Sequence, residues 1–150
     1  LRDGRVLQAL LNGTLKKTVI YDPVADTYVT GPSSLGIHNE SVWVKLADDS
    51  ILFVDRGDTS SERYIHSINA WKNSGDTIVA LYDPWGLETG GAVRLPDGRA
   101  FFIGSLSTTA FFQPSVNGAV AGFEGVEGNT RDERRATRVH GIACESRLER

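Results

Sequence analysis

A short turn motif recurs three times in this chain, and this repetition limits the choice of folds more than any other feature. Each copy has a leucine, a turn that contains aspartate and then an apolar run: LRDGRVL at 1–7, LADDSIL at 46–52 and LPDGRAF at 95–101. The turn residues Asp3, Asp48 and Asp97 are 45 and then 49 residues apart. Self-similarity at a period of about 20 to 50 residues is typical of proteins built from repeated structural units. The sequence therefore predicts a repeat architecture.

An aromatic residue follows each turn at a similar distance. Tyr21, Tyr64 and Phe112 lie 18, 16 and 15 residues after the three aspartates. In the first two copies a second aromatic residue, Tyr28 or Trp71, follows seven residues later. The third copy departs from this pattern, because its corresponding position 119 is alanine.

The apolar patterns around each turn predict two adjacent β-strands joined by a hairpin. Before the turns the pattern alternates, as in Val42, Val44 and Leu46, which predicts a half-buried strand. After the turns the chain is more continuously apolar, which predicts strands buried on both faces at 6–11, 51–54 and 100–104. The Asp-Gly pairs predict type I′ turns, whose two central residues need positive φ, because aspartate and glycine tolerate that conformation best.

Two more short strands complete each copy. They are predicted at 17–21 and 27–30 in the first copy and at 63–66 and 69–72 in the second. Asp22-Pro23 ends the earlier one, because proline interrupts strand pairing. The repeats contain no long apolar stretch of helical period without a glycine or proline break. Four short strands per repeat of this length are the unit of a β-propeller blade.

With these residues in place, the chain resembles the kelch-type β-propeller family. The resemblance rests on LPDGRAFFIG at 95–104, DGRVL at 3–7 and YDPVADTY at 21–28. It implies an all-β fold of about three four-stranded antiparallel blades, in segments 1–36, 37–86 and 87–124, of which the first lacks its opening strand. Residues 125–150 follow neither the spacing nor the composition of the repeats, and they are predicted to form an irregular or helical charged tail.

The resemblance also implies an incomplete ring, because the family closes about six or seven blades into one ring. An open set of blades leaves two sheet faces exposed to water. The chain is therefore either a piece of a longer protein or associates with copies of itself through its open blade edges. The lack of methionine and a first residue inside the repeat motif favour a piece of a longer protein.

Composition limits the partners. The formal net charge of −3 gives no long-range attraction for phosphate backbones, so we expect no nucleic-acid partner. No apolar run reaches the about 18 residues that a membrane helix needs, so we expect no membrane partner. The resemblance implies a protein or carbohydrate ligand, since propellers of this type mostly act as binding platforms.

The predicted binding site is the polar segment that joins two strands of the second copy. Asp55, Arg56, Asp58 and Glu62 lie there, and His66 follows where the first copy has the proline of Tyr-Asp-Pro. Functional residues concentrate on loops held by a rigid scaffold, which favours this segment. Two other interpretations stay open: the carboxylates are solvated loop charges, or they form a catalytic pair of the glycosidase type.

The histidines show no metal-site spacing. His38, His66 and His140 are 28 and 74 residues apart, and they are predicted to be loop and turn residues. The superfamily that the chain resembles includes copper radical oxidases, which need a tyrosine cross-linked to a cysteine, a second tyrosine and two histidines. The single cysteine, Cys144, lies in the tail. We therefore predict no catalytic residue, no metal and no cofactor in this segment.

Three functional hypotheses follow. The first is a non-catalytic kelch-repeat binding scaffold, part of a larger propeller, for a protein or carbohydrate ligand. The second is a fragment of a propeller enzyme, such as a copper radical oxidase of the galactose oxidase type, whose catalytic residues lie outside this segment. The third is a purely structural set of blades. Trp43, Trp71 and Trp85 are candidates for stacking on sugars, although the repeat position of Trp71 favours packing inside a blade.

Overall fold

The computed structural model describes residues 1–10, 16–55, 57–114 and 122–127, and its regular structure is almost entirely β. The one helical segment in this part of the chain is a short 3-10 turn at His66–Ile68. The strands are β1 (Val6–Ala9), β2 (Thr18–Asp22), β3 (Thr27–Thr30), β4 (Trp43–Lys45), β5 (Ile51–Val54), β6 (Ser60–Ile65), β7 (Ala70–Asp76), β8 (Ala92–Arg94), β9 (Ala100–Ile103), β10 (Thr108–Gln113) and β11 (Gly122–Glu127). The all-β class is therefore confirmed.

The strands form three antiparallel sheets, each made of strands that are consecutive in the chain. The first sheet contains β1, β2 and β3, the second β4 to β7 and the third β8 to β11. The first sheet has one strand fewer because β1 corresponds to β5 and β9, the second strands of the other two sheets. β11 crosses the expected boundary at 124, so the third sheet extends to residue 127. The rest of the predicted tail lies outside the described residues.

The three repeated turns share one geometry, but it is not the predicted type I′. In the third copy Gly98 N donates to Leu95 O (3.0 Å), Leu95 N donates to Arg99 O (2.8 Å), and the positive φ of 90° is at Gly98. This is a type I turn followed by one left-handed residue. A type I′ turn would need positive φ at both Asp97 and Gly98, and only Gly98 has it. Asp97 instead accepts a hydrogen bond from Arg99 N through its side chain (3.0 Å).

The other two copies repeat these contacts. Asp3 and Asp48 each accept the N–H two residues later, at 3.1 and 3.0 Å. The left-handed residue is Gly4 in the first copy (φ 87°) and Asp49 in the second (φ 65°). The shared aspartate is therefore needed as a hydrogen-bond acceptor for the turn, and the residue after it takes the positive φ.

The spaced aromatic residues are direct partners across two strands. Tyr21 pairs with Tyr28 and Tyr64 with Trp71, with ring centroids 4.7 and 5.6 Å apart. In the third copy the partner of Phe112 is Phe123 (5.0 Å), four residues beyond the position that the spacing predicted. The cross-strand aromatic pair therefore occurs in all three copies, and in the third the connection between its two strands is longer.

The sheets stack face to face in series, so the second sheet is buried on both faces. Its Leu52 and Phe53, neighbours in β5 that point to opposite faces, are both fully buried. One face packs on the third sheet in a cluster of Val44, Leu46, Leu52, Val54, Leu81, Ala100, Phe102, Ala110, Phe112 and Phe123. The other packs on the first sheet in a cluster of Leu7, Ile20, Phe53, Tyr64 and Trp71.

The outer two sheets have one covered and one uncovered face. Val6 in β1 and Ile103 in β9 are 44% and 49% exposed, whereas the neighbouring Leu7 and Phe102 are buried. The prediction that all three runs after the turns are buried on both faces is therefore correct for β5 and wrong for β1 and β9. β4 lies beside β8, and β7 beside β11, so the second and third sheets stack in the same orientation.

The antiparallel order sends two kinds of connection to opposite ends of the stack. The aspartate turns lie at one end, which we call the turn end. The other end, which we call the linker end, contains residues 57–59 and the two connections between sheets, 31–42 and 77–91. In the described part of the chain, no helix has the length and apolar character needed to span a membrane.

Candidate functional site

Glu62 is a buried carboxylate at the linker end, and its oxygens hold the first connection between sheets. It lies at the start of β6, and its side chain is 2% exposed. Glu62 Oε2 accepts a hydrogen bond from Leu35 N (2.7 Å), and Oε1 accepts one from Gly36 N (2.9 Å). His38 Nε2 lies 2.8 Å from Oε1. Because both oxygens are engaged, Glu62 positions residues 35–38.

Asp55 supports the same connection from β5. It is buried, its Oδ2 accepts a hydrogen bond from Ile37 N (3.2 Å), and its Oδ1 accepts one from Gly57 N (2.8 Å). A Cβ at Gly36 would collide with Asp55 Oδ2 and come within 3.1 Å of the Phe53 ring. Glycine at 36 therefore lets the backbone approach both acidic residues closely.

His38 completes this buried group inside a cage of aromatic rings. Its ring stacks on Phe53 (centroids 3.8 Å apart, 22° between planes) and meets Trp43 and Trp71 edge-on at 5.0 and 4.6 Å. Its Nδ1 is buried and has no hydrogen-bond partner in the described part of the chain. His38 is a loop residue, as predicted, but its side chain is buried between the first and second sheets.

A cleft of about 360 Å³ lies directly over this group. Its lining includes the apolar side chains of Leu35 and Phe53 and the polar residues Lys16, Asp58, Ser60 and Asn73. Lys16, Asp58 and Asn73 are exposed, and Asp58 Oδ1 accepts a hydrogen bond from Ser60 N (2.6 Å). The cleft thus combines an apolar part with a few exposed hydrogen-bonding groups, the usual composition of a small-ligand site.

The predicted site residues divide into three groups. Asp55, Asp58 and Glu62 are brought together at the cleft. The interpretation of Asp55 and Glu62 as solvated loop charges is wrong, because both are buried and bonded to backbone N–H groups. Arg56 lies outside the described residues. His66 lies at the turn end, where its Nε2 is 3.4 Å from Asp3 Oδ2, so it is not part of this cleft.

The turn-end contact of His66 belongs to a small surface ion network. Arg5 donates through Nε to Asp3 Oδ2 (2.8 Å), and this bond lowers the pKa of the Asp3 carboxyl to about 2. Asp3 therefore stays ionised at neutral pH beside His66. The network joins the first turn of the chain to the second sheet.

The geometry indicates that Asp55 and Glu62 position the first connection between sheets and are not a pair of free acids. A catalytic carboxylate pair needs one group that gives a proton and one that attacks or activates water. Here four backbone N–H groups and a histidine nitrogen occupy the four carboxylate oxygens. In residues 1–10, 16–55, 57–114 and 122–127, no three histidine, cysteine or acidic side chains gather as a metal site.

Trp85 is the second candidate feature at the linker end. Trp43 and Trp71 pack inside the stack, but Trp85 is 82% exposed, at the tip of the second connection between sheets. The sequence marked all three tryptophans as candidates for ligand stacking. Burial now separates them, since Trp71 is buried and Trp43 is only partly exposed, whereas most of the Trp85 side chain is exposed.

The loop that presents Trp85 is held in one conformation by Asp83. The Asp83 carboxylate accepts hydrogen bonds from Gly86 N, Trp85 N (2.9 Å) and Glu88 N (3.3 Å). These backbone N–H groups lower the pKa of Asp83, with Gly86 as the largest cause. Ser105 Oγ donates to Glu88 O (2.6 Å), which ties the loop to the third sheet.

The two connections between sheets also touch each other. Thr89 N and Thr89 Oγ1 donate to Glu40 O at 3.2 and 3.3 Å, so the two connections are bonded to each other at the linker end.

A comparison of the sequence with protein-family models gives no match, and neither does a comparison with curated proteins.

Proposed function

We propose that the three sheets are consecutive blades of a kelch-like β-propeller. Three copies of one turn geometry, three cross-strand aromatic pairs and two like stacking interfaces support this assignment. A propeller places short, four-stranded antiparallel sheets face to face around an axis. A stack whose middle sheet is buried on both faces, and whose second and third sheets share one orientation, is the arrangement that consecutive blades need.

The function that this geometry supports best is a non-catalytic scaffold that binds its ligand at the linker end. The observation that carries the proposal is the preformed cleft that residues 35–37 line. The buried acids are already bonded to the backbone, so the cleft keeps its shape without a ligand. Binding to a preformed site avoids part of the ordering cost of association. The Trp85 loop lies at the same end of the stack and is hydrogen-bonded to the first connection between sheets.

Of the two ligand classes, the cleft favours a carbohydrate over a protein. Its volume of about 360 Å³ is within the range of small-molecule sites. The exposed groups of Lys16, Asp58 and Asn73 include a cation, a carboxylate and an amide, which can donate to or accept from sugar hydroxyl groups. The flat indole of Trp85 has an apolar face of the size that stacks on a sugar ring.

An array of neutral and acidic oligosaccharides tests this proposal directly. We expect the full chain to bind a subset of the array. Asp58→Ala and Trp85→Ala each should weaken that binding. The Kd should rise at least about tenfold in the variant that has lost a side chain in contact with the sugar. Val24→Ala is the matched control, because Val24 is 96% exposed at the turn end.

Two results would contradict the proposal. The first is a chain that binds no oligosaccharide on the array while its thermal unfolding is cooperative. The second is binding that Asp58→Ala and Trp85→Ala leave as strong as Val24→Ala does. Isothermal titration with the selected oligosaccharide then gives the Kd of each variant.

A further inference from the structure

The contact between neighbouring sheets occurs twice in this chain, with corresponding residues on each side. In the first contact, Leu7 and Ile20 of the first sheet meet Phe53, Tyr64 and Trp71 of the second. In the second contact, Leu52 and Val54 of the second sheet meet, among others, Phe102, Phe112 and Phe123 of the third. The strand registers make these sets equivalent, because Val6, Ile51 and Ala100 pair with Tyr21, Tyr64 and Phe112. In each contact, we call the face of the sheet that comes earlier in the chain the donor face, and the face of the later sheet the receiving face.

One face of each kind has no partner in the described part of the chain. The third sheet has an uncovered donor face, where Val93 and Ile103 are about half exposed beside the partly buried Phe101 and Phe111. The strand pairing places Val93 opposite Phe101, and Phe101 opposite Phe111. The resulting row of side chains corresponds to the Leu52 row, which the third sheet covers.

The first sheet has the uncovered receiving face. Val6 and Tyr28 are 44% and 62% exposed there, and Tyr21 is partly buried between them. These residues occupy the positions of Ile51, Trp71 and Tyr64 in the second sheet. Aromatic side chains at the same register positions prepare this face to pack on a donor face, as the second and third sheets do.

We propose that a second copy of this chain covers both faces in a head-to-tail contact, with the third sheet of one copy on the first sheet of the other. The two uncovered faces are the two halves of a contact that the chain already makes twice. A head-to-tail contact closes into a ring when its rotation allows. Two copies bring six sheets together, within the about four to eight blades of a propeller. The inference depends on the stacking of the sheets and not on the ligand.

The receiving face is less apolar than its two internal counterparts, so this contact is the weakest of the three. Gln8 stands where the second and third sheets have Phe53 and Phe102. On the donor face, the charged Arg99 guanidinium lies over the Phe111 ring, 4.9 Å from its centre. Association is therefore expected to be reversible and to depend on protein concentration.

Sedimentation velocity and light scattering coupled to gel filtration, on the full chain over a concentration series, test the proposal. The expected result is a shift from the 16.3 kDa monomer to twice that mass as concentration rises. Ile103→Lys on the donor face and Tyr28→Lys on the receiving face each should raise the dimer Kd at least about tenfold. Ile68→Lys is the control, since Ile68 is 55% exposed but lies at the turn end of the middle sheet.

Mixing the two face variants distinguishes a head-to-tail contact from a symmetric one. In the mixture, the native donor face of Tyr28→Lys can meet the native receiving face of Ile103→Lys. One native contact should therefore return, and a mixed dimer should form that neither variant forms alone. Circular dichroism melting shows whether each variant is folded, as expected for changes at exposed positions.

The proposal is overturned by a mass of 16.3 kDa at every concentration. It is also overturned by association that Ile103→Lys and Tyr28→Lys leave unchanged, because another surface would then be responsible. Recovery of association in the mixture would support the pairing of these two faces even if the array shows no oligosaccharide binding.

Discussion

Replacing Glu62 with alanine is the sharpest test of how the linker end is held. The change removes the acceptor for Leu35 N, Gly36 N and His38 Nε2, which lie 2.7, 2.9 and 2.8 Å from its oxygens. A buried donor without a partner costs about 1–3 kcal/mol. The His38 side chain is fully buried, whereas water can reach the N–H groups of the partly buried connection. We therefore expect a loss of about 3–5 kcal/mol, the range for breaking a buried pair from one side.

The free energy of unfolding from urea titration is the measurement, followed by tryptophan fluorescence. Trp43 and Trp71 both contact His38, so their emission reports directly on this region. Glu88→Ala is the matched control, because Glu88 is an exposed glutamate on the other connection between sheets and should change stability by less than about 0.5 kcal/mol.

Glu62→Gln separates the role of hydrogen bonding from that of volume. Glutamine keeps the size of the side chain but replaces one oxygen by an NH₂ group, which would face a donor. The expected loss is about 1.5–3 kcal/mol, between those of the control and of alanine. A loss below about 1 kcal/mol for Glu62→Ala would refute the reasoning, since the three contacts could then not be holding the connection.

Three further predictions concern the core, a close backbone approach and an acid-sensitive loop. Phe102→Asp places a charge in the fully buried contact between sheets and should cost more than about 3 kcal/mol, measured by urea unfolding against Ile103→Asp on the exposed face. Gly36→Ala should cost about 1–3 kcal/mol in the same assay, whereas Gly91→Ala, which has open space around it, should be nearly neutral. The lowered pKa of Asp83 stabilises its loop above the unfolded value of about 3.9, and this contribution is lost as pH falls through the lower folded value. The NMR chemical shift of the Gly86 amide proton should therefore change below about pH 4, as Asp83 becomes protonated. The same change of chemical shift in Asp83→Asn would contradict this assignment.

Local structure was largely predictable, because it depends on neighbours in the chain. The predicted strands at 27–30 and 51–54 have the bounds of β3 and β5. The position of each turn followed from its aspartate, but the turn type did not, since a hairpin accepts several turn geometries and the three aspartates do not have the positive φ that type I′ needs. The pairing of Phe112 with Phe123 was missed because a longer connection shifted the second aromatic residue.

The sequence predicted where the candidate site lies but not the roles of its residues. The segment containing Asp55, Asp58 and Glu62 was predicted to bind a ligand, and the structure places all three at one cleft. Their roles were not visible, because the partners of Glu62 lie 24 to 27 residues earlier in the chain. His66 looked like a neighbour of the site, but β6 carries it to the turn end.

The sequence by itself determined the period, the β class and the position of the turns, because alternating apolar residues and aspartate turns act over a few residues. Only the tertiary structure decided which strand faces are covered, since burial depends on the sheet that packs against each face. The same apolar run is buried on both faces in β5 and on one face in β9. The stacking of the sheets also places the first connection over β6. Glu62, which the sequence presents as a surface charge, is therefore buried and bonded to His38.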